Sequence, residues 1–176
     1  GSTCARVLGE SGAKVALFDD SHPREKPCGG LIEARVVEEF NVPNALLQKE
    51  VKWFLAERYG FHAKLLFKPS VFLVSRKELD YHLLQEALKN KSVTFYAEKV
   101  NQIAKYKDAW LLGTNRGRQV KVKMLIGADG CPSLLRQRVF SPIPSRFLAT
   151  TVGYDFSCPN KYTEETFENH TVEAYY

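Results

Sequence analysis

The residues of this chain best suited to chemistry fall in four places. Cys28-Gly29-Gly30 closes a loop that also carries Arg24 and Lys26; Arg76 opens a helical pattern; Asp19 and Asp129-Gly130 each end an apolar run. A thiol beside cations is more easily held as thiolate, the condition for a reactive cysteine. The same two cations suit phosphate equally well, and a free cysteine can also be no more than a small buried hydrophobe. In a dinucleotide fold, an acid at a strand end accepts hydrogen bonds from a ribose, and glycines let the backbone approach a pyrophosphate at a helix N-terminus. Gly1 and Asp19 match the spacing of about 20 residues for that arrangement. The plainer alternative makes Gly1-Ser2 a remnant of cloning and Asp19 a solvated strand end. Arg76, with the backbone N–H groups beside it, can hold phosphate or adenosine oxygens; it can equally be a surface arginine. Ser133 and Arg136 read as local capping and pairing residues. His22, His62, His82 and His170 have no triad or metal arrangement, and His82 reads as a surface or packing residue.

The elements that must position these groups follow from local pattern. Ser2 to Ser11 reads as a helix with Val7 and Leu8 on its apolar side and Gly12 as its left-handed stop. Lys14 to Asp19 is a short apolar strand of the buried parallel type. After the loop from Asp20 to Gly30, Leu31 to Phe40 reads as helix, ended by Val42-Pro43. Trp53–Arg58, Ala63–Phe67 and Val71–Val74 read as separate strands. Ser75 with Glu78 forms a capping box for a helix whose stripe is Leu79, Leu83, Leu84, Ala87 and Leu88. Val93–Ala97 is a further buried-type strand. Val100–Tyr106, Ala109–Thr114 and Gln119–Lys123 form an antiparallel meander turned by Asn115 to Arg118. Met124 to Asp129 reads as a strand, and Pro132 as the first residue of a helix to about Val139. Phe147–Phe156 and Thr171–Tyr176 are strand-like. This order predicts a doubly wound, Rossmann-like α/β sheet with an antiparallel side layer.

The bulk numbers agree with a globular chain of 176 residues, 44% hydrophobic and 26% charged, long enough for one domain and the start of another. No apolar run reaches the ~18 residues that would span a bilayer. The net charge of +5 comes from Lys and Arg spread along the chain, which reads as a solvated surface rather than a nucleic-acid footprint. Four cysteines lie far apart, without metal-ligand spacing, so a reduced, cytoplasmic setting is expected and the sequon at Asn169 is a chance match.

The stretch Pro23-Arg24-Glu25-Lys26-Pro27-Cys28-Gly29-Gly30 resembles the PxxKxCGG segment of the geranylgeranyl reductase family, flavoproteins that saturate double bonds of isoprenoid chains. Gly1 to Arg6 resembles the tail of that family's GxGPAGS turn. Ser75 to Leu84 resembles its R-x-x-L/F-D-x-x-L helix start, and Leu125 to Ser133 the GADGxxS motif of the wider FAD-monooxygenase-like superfamily. The resemblance implies an FAD-dependent oxidoreductase with Gly1, Asp19, Arg24, Cys28, Gly29, Gly30, Arg76, Val100, Asp129 and Gly130 at the cofactor. Asp129 would accept from flavin ribityl or water, and the backbone at Val100 would meet the adenine. It further implies that Cys28 faces the isoalloxazine and the substrate alkene, where it positions the flavin, donates a proton or gates the site. The substrate class would be an isoprenoid lipid or prenyl diphosphate, with peripheral membrane contact; the electron donor, NAD(P)H or ferredoxin, is left open. A monooxygenase or halogenase of the same superfamily is the alternative, and a non-catalytic nucleotide-binding module a third reading. Residues 1–145 are expected to be the FAD-binding domain without its first strand, and 146–176 the beginning of a β-rich substrate domain. By itself such a piece is expected to bind FAD poorly and to be inactive.

Overall fold

The computed structural model describes residues 1–150, 152 and 171–175, the side chains of 57 and 171–175 excepted. In chain order the elements are α1 (Ser2–Glu10), β1 (Val15–Phe18), β2 (Leu31–Glu33), α2 (Ala34–Glu39), β3 (Leu47–Arg58), β4 (Phe61–Val74), α3 (Arg76–Leu88), β5 (Val93–Tyr96), β6 (Val100–Tyr106), β7 (Ala109–Thr114), β8 (Gln119–Val122), α4 (Leu134–Val139) and β9 (Thr171–Tyr175). They form two compact units, Gly1–Pro23 with Leu83–Thr150 and Arg24–His82 with Thr151–Tyr176.

In the first unit, β1 and β5 pair in parallel, Val15 opposite Val93 and Phe18 opposite Tyr96. Parallel neighbours need a crossover, and α1 packs beside them to bury Ala5 with Ala87 and Val93. Its inward face is therefore Ala5 and Gly9 at helical spacing, while Val7, expected on the apolar side, is half-exposed. Gly12 has the left-handed φ of +84° that its role as stop requires. The meander is as expected, ordered β6-β7-β8. Met124–Asp129 is not a strand: among the described residues no strand runs beside it, and Met124 and Ile126 are exposed. Pro132 does not open α4 either; Ser133 caps it, accepting from the Arg136 N–H at 3.0 Å. Residues 145–147 form a 3-10 turn where Phe147 was expected to begin a strand; most of the remainder of Phe147–Phe156, and Cys158 and Asn169, lie outside the described residues.

The second unit is a four-stranded sheet in the order β2-β4-β3-β9. The two short strands expected at Ala63–Phe67 and Val71–Val74 are one, β4, paired with β3 across a two-residue turn in which Tyr59 and Gly60 both have positive φ, the geometry that matches strand twist. Proline removes a ladder donor, yet Pro69 fits. The register jumps from Val51↔Val71 to Trp53↔Leu66, leaving residues 67–70 as a bulge opposite Lys52. Leu31–Glu33, expected as the first turn of a helix, instead continues the sheet as β2 along β4, and α2 begins only at Ala34. Val51, Val71 and Val74 are the buried residues of this sheet. The predicted Ser75 cap is present, accepting from the Glu78 N–H at 3.3 Å, a contact of about 1 kcal/mol. The predicted stripe also holds, with Leu79, Leu84 and Ala87 buried.

Candidate functional site

The second unit brings the Cys28 loop to the start of α3. Gly30 has φ +70°, and its carbonyl accepts from the Val74 N–H at 2.9 Å. A Cβ on Gly30 would stand 2.2 Å from the Val74 carbonyl oxygen, whereas one on Gly29 would meet nothing within 4 Å. The two glycines thus differ: Gly30 is required by backbone contact, and Gly29 leaves an open, solvent-facing flank. Cys28 is exposed. Its thiol lies below its ordinary value, first because the Gly30 N–H donates to sulfur and then because Arg76 hydrogen-bonds and attracts it, against the opposing effects of partial burial and, more weakly, of Asp80.

Arg76 is held in turn. Its Nη2 donates to Asp80 Oδ1 at 3.2 Å, and its guanidinium is pushed above its usual value chiefly by the contact with Cys28. Asp80 also accepts from Lys26 Nζ. Burial alone would raise the Asp80 carboxyl, but Lys26 and Arg76 together hold it below the usual range. Lys26, read as a cation for the thiol or for phosphate, is therefore directed to Asp80, and the cation on Cys28 comes from Arg76. In the sequence Asp80 stood only as the aspartate of the R-x-x-L/F-D-x-x-L helix start, with no role given to it; the signal for one was its i,i+4 spacing from Arg76.

In the first unit, Gly1 caps α1, and its carbonyl accepts from the Ala5 N–H. Its missing Cβ faces Leu17 of β1 and Ala128, so the N-terminus of α1, the strand ending at Asp19 and the segment ending at Asp129 are neighbours. Asp19 lies just past β1, its N–H donating to the Tyr96 carbonyl at 3.2 Å and its Oδ1 accepting from the Ser21 N–H and hydroxyl. Asp129 accepts from the Ser133 hydroxyl at 2.6 Å and from the Leu135 N–H at 3.2 Å. Burial opposes ionisation, but these donors hold the carboxyl below its usual value. Asp129 is thus engaged at the start of α4, by the Ser133 hydroxyl and the Leu135 N–H. Gly130 has φ +70° with open space around it. Val100 sits in the ladder opposite Thr114, beside a register shift.

Other polar features involve none of these residues. A hollow of about 320 Å³ on β6 and β7, reached by Arg138, contains none of the predicted site residues. His22 packs edge-on against Phe95; its Nε2 and that of His82 are buried without hydrogen-bond partners among the described residues. Among the described residues no three His, Cys, Asp or Glu side chains could hold a metal ion. No described helix is long and apolar enough to cross a membrane.

Comparison with known proteins adds to this geometry. The halogenase PltM, solved with phloroglucinol and FAD, superposes with a TM-score of 0.64 at 18% identity, over 78% of this chain and 34% of that one. PqsL of Pseudomonas aeruginosa, a probable FAD-dependent monooxygenase, gives 0.61 at 18% identity, over 78% and 41%. The chain shares the fold of these two proteins. No family model matches the chain. In sequence it is similar to geranylgeranyl diphosphate reductases of Rhodobacter capsulatus, 27% identical over 158 residues, and of a Synechocystis strain, 26% over 155 residues. Each match covers 79% of this chain, which spans 37% and 38% of the two reductases' lengths.

Proposed function

We propose that this chain is the FAD-binding part of a reductase that saturates double bonds of isoprenoid chains, of the geranylgeranyl type. The observation that carries the reading is the Cys28 loop, in which an exposed, arginine-paired thiol adjoins the open flank of Gly29. The similarity to two geranylgeranyl diphosphate reductases supports the same choice.

Within each unit, residues of this chain suit parts of the cofactor. Gly1 at the head of α1 suits a pyrophosphate, and Asp19 suits the adenosine ribose. Val100 offers backbone to the adenine, while Arg24 and Arg76 offer charge to phosphate. Gly29 leaves room for a planar ring against the loop, and Gly130 permits close backbone approach beyond Asp129. Reduced FAD, when bound, supplies hydride chemistry. The protein's own part is to orient the alkene and to hold charge at Cys28 Sγ. The Gly30 N–H and Arg76 favour the anionic form of Cys28 relative to a free thiol. Residues 1–145 are the FAD-binding part in this reading, and 146–176 lead into the substrate domain, with β9 adding to the sheet already formed by β2, β4 and β3. Substrates are an isoprenoid lipid or prenyl diphosphate, met in the cytoplasm at a membrane periphery.

The test is anaerobic. The intact protein, with its flavin reduced by dithionite, is mixed with a geranylgeranyl lipid and the product weighed by mass spectrometry. A gain of hydrogen pairs on the lipid supports the reading; flavin reoxidation with no mass gain overturns it. The second reading, a monooxygenase or halogenase, is favoured by the fold likeness to PltM and PqsL. It predicts oxygen-dependent consumption of reduced flavin with no alkene saturation.

A further inference from the structure

We propose that Asp80 is the positioning residue of the Cys28 loop, one carboxylate that ties Lys26 to α3 and holds the Arg76 guanidinium against the Cys28 sulfur. Its carboxylate serves both cations: Oδ2 accepts from Lys26, while Arg76 Nη2 donates to Oδ1 at 3.2 Å and more weakly to Oδ2 at 3.5 Å. The Asp80 side chain is the most enclosed of the three, 12% exposed against 28% for Arg76 and 33% for Lys26. Lys26 stands 54 residues from Asp80 in sequence, so the contact is a long-range tie between loop and helix.

Helix stability does not account for the pair. An arginine in the first turn opposes the helix dipole, and a cation preceding an anion by four residues is the weaker orientation of such pairs. What the arrangement does achieve is to fix a planar, five-donor group between a carboxylate and a thiol. Arg76 and Asp80 from α3 act on Cys28, as does the Gly30 N–H of its own loop; the other charged side chains of that loop are Arg24, Glu25 and Lys26, the last bonded to Asp80.

The positioning role and a simple charge effect predict opposite signs. As a nearby anion, Asp80 disfavours the thiolate, so its loss would make Cys28 more reactive. As the residue that aims Arg76, its loss makes Cys28 less reactive. The experiment follows alkylation of Cys28 by iodoacetamide across pH in the intact protein, resolved by peptide mass spectrometry from the exposed Cys4 and Cys131. Asp80→Asn is expected to move the profile to higher pH and slow alkylation at neutral pH by about 3–10-fold, with Asp80→Glu restoring the wild-type curve. A shift to lower pH, or none, overturns the proposal. In an Arg76→Lys background the Asp80→Asn change is expected to add no further upward shift; two additive shifts also overturn it. Circular dichroism melts show whether each variant is folded, and the Asp80→Glu pair decides the question should Asp80→Asn unfold. Any bearing on catalysis rests on the flavin reading above. The thiol measurement needs no turnover, so failure of that reading and failure of this one are distinguishable.

Discussion

Gly30 and Val74 meet backbone to backbone: the Gly30 carbonyl accepts the Val74 N–H at 2.9 Å, and a Cβ on Gly30 would lie 2.2 Å from the Val74 oxygen. The contact pins the end of the Cys28 loop to β4 one residue before Ser75 caps α3. Loop and helix start are thereby brought together before any side chain acts.

Gly30→Ala is therefore expected to be damaging. A non-glycine residue at this φ costs about 1–3 kcal/mol, and the backbone clash adds to it, for a total of about 3 kcal/mol or more. At about 2–4 °C per kcal/mol, a thermal melt reads this as a fall of roughly 6–12 °C. Gly29→Ala meets nothing within 4 Å and is expected to change stability by less than about 0.5 kcal/mol. If a flavin ring lies there, the same variant weakens FAD binding by about tenfold, as read by fluorescence titration. Unchanged affinity would remove Gly29 from the site.

Ser133 both caps α4 and donates to Asp129. Ser133→Ala is expected to cost about 1 kcal/mol and to speed exchange of the Arg136 amide. A protected Arg136 N–H in the variant would show that α4 does not depend on this cap.

Three carboxyls are held below their usual values. Glu98 is lowered by Arg118 and then Thr114; Asp80 and Asp129 are lowered by their donors despite opposing burial. A depressed folded value means stability that is fully present above the unfolded value and lost as pH falls through the folded one. With unfolded values near about 3.9 for Asp and 4.3 for Glu, the melting temperature should be flat above about pH 5 and fall on further acidification. Glu98→Gln is expected to lower stability at neutral pH and to flatten the acid limb. A Glu98→Gln limb as steep as wild type would count against Glu98 as a contributor.

The proposed reading gives the ribose to Asp19. Loss of a charged hydrogen bond costs about 1.5–3 kcal/mol, so Asp19→Ala should weaken FAD binding by about tenfold or more in equilibrium dialysis. An unaltered dissociation constant would place the ribose elsewhere.

The features legible in the sequence were those carried by local period and local sterics. The apolar run at Val15–Phe18, the stripe from Leu79 to Ala87, the Ser75 cap and the meander from Val100 to Val122 depend on neighbours within a few residues. They read true. The stretch at Cys28-Gly29-Gly30 was legible as a loop as well, from its adjacent glycines and prolines. What the tertiary structure alone decided involves partners far away in sequence. Leu31–Glu33 is strand because Gly30 is tied to Val74 and the chain must continue along β4. Pro69 lies within β4 because a register jump against β3 frees the donor position it lacks. The cation on Cys28 is Arg76, 48 residues on, because Asp80 draws Lys26 away. Asp129 is occupied by Ser133 and Leu135. Local propensity measures how a residue prefers to fold with its neighbours, whereas pairing of strands and charges depends on what the rest of the chain brings within about 3 Å.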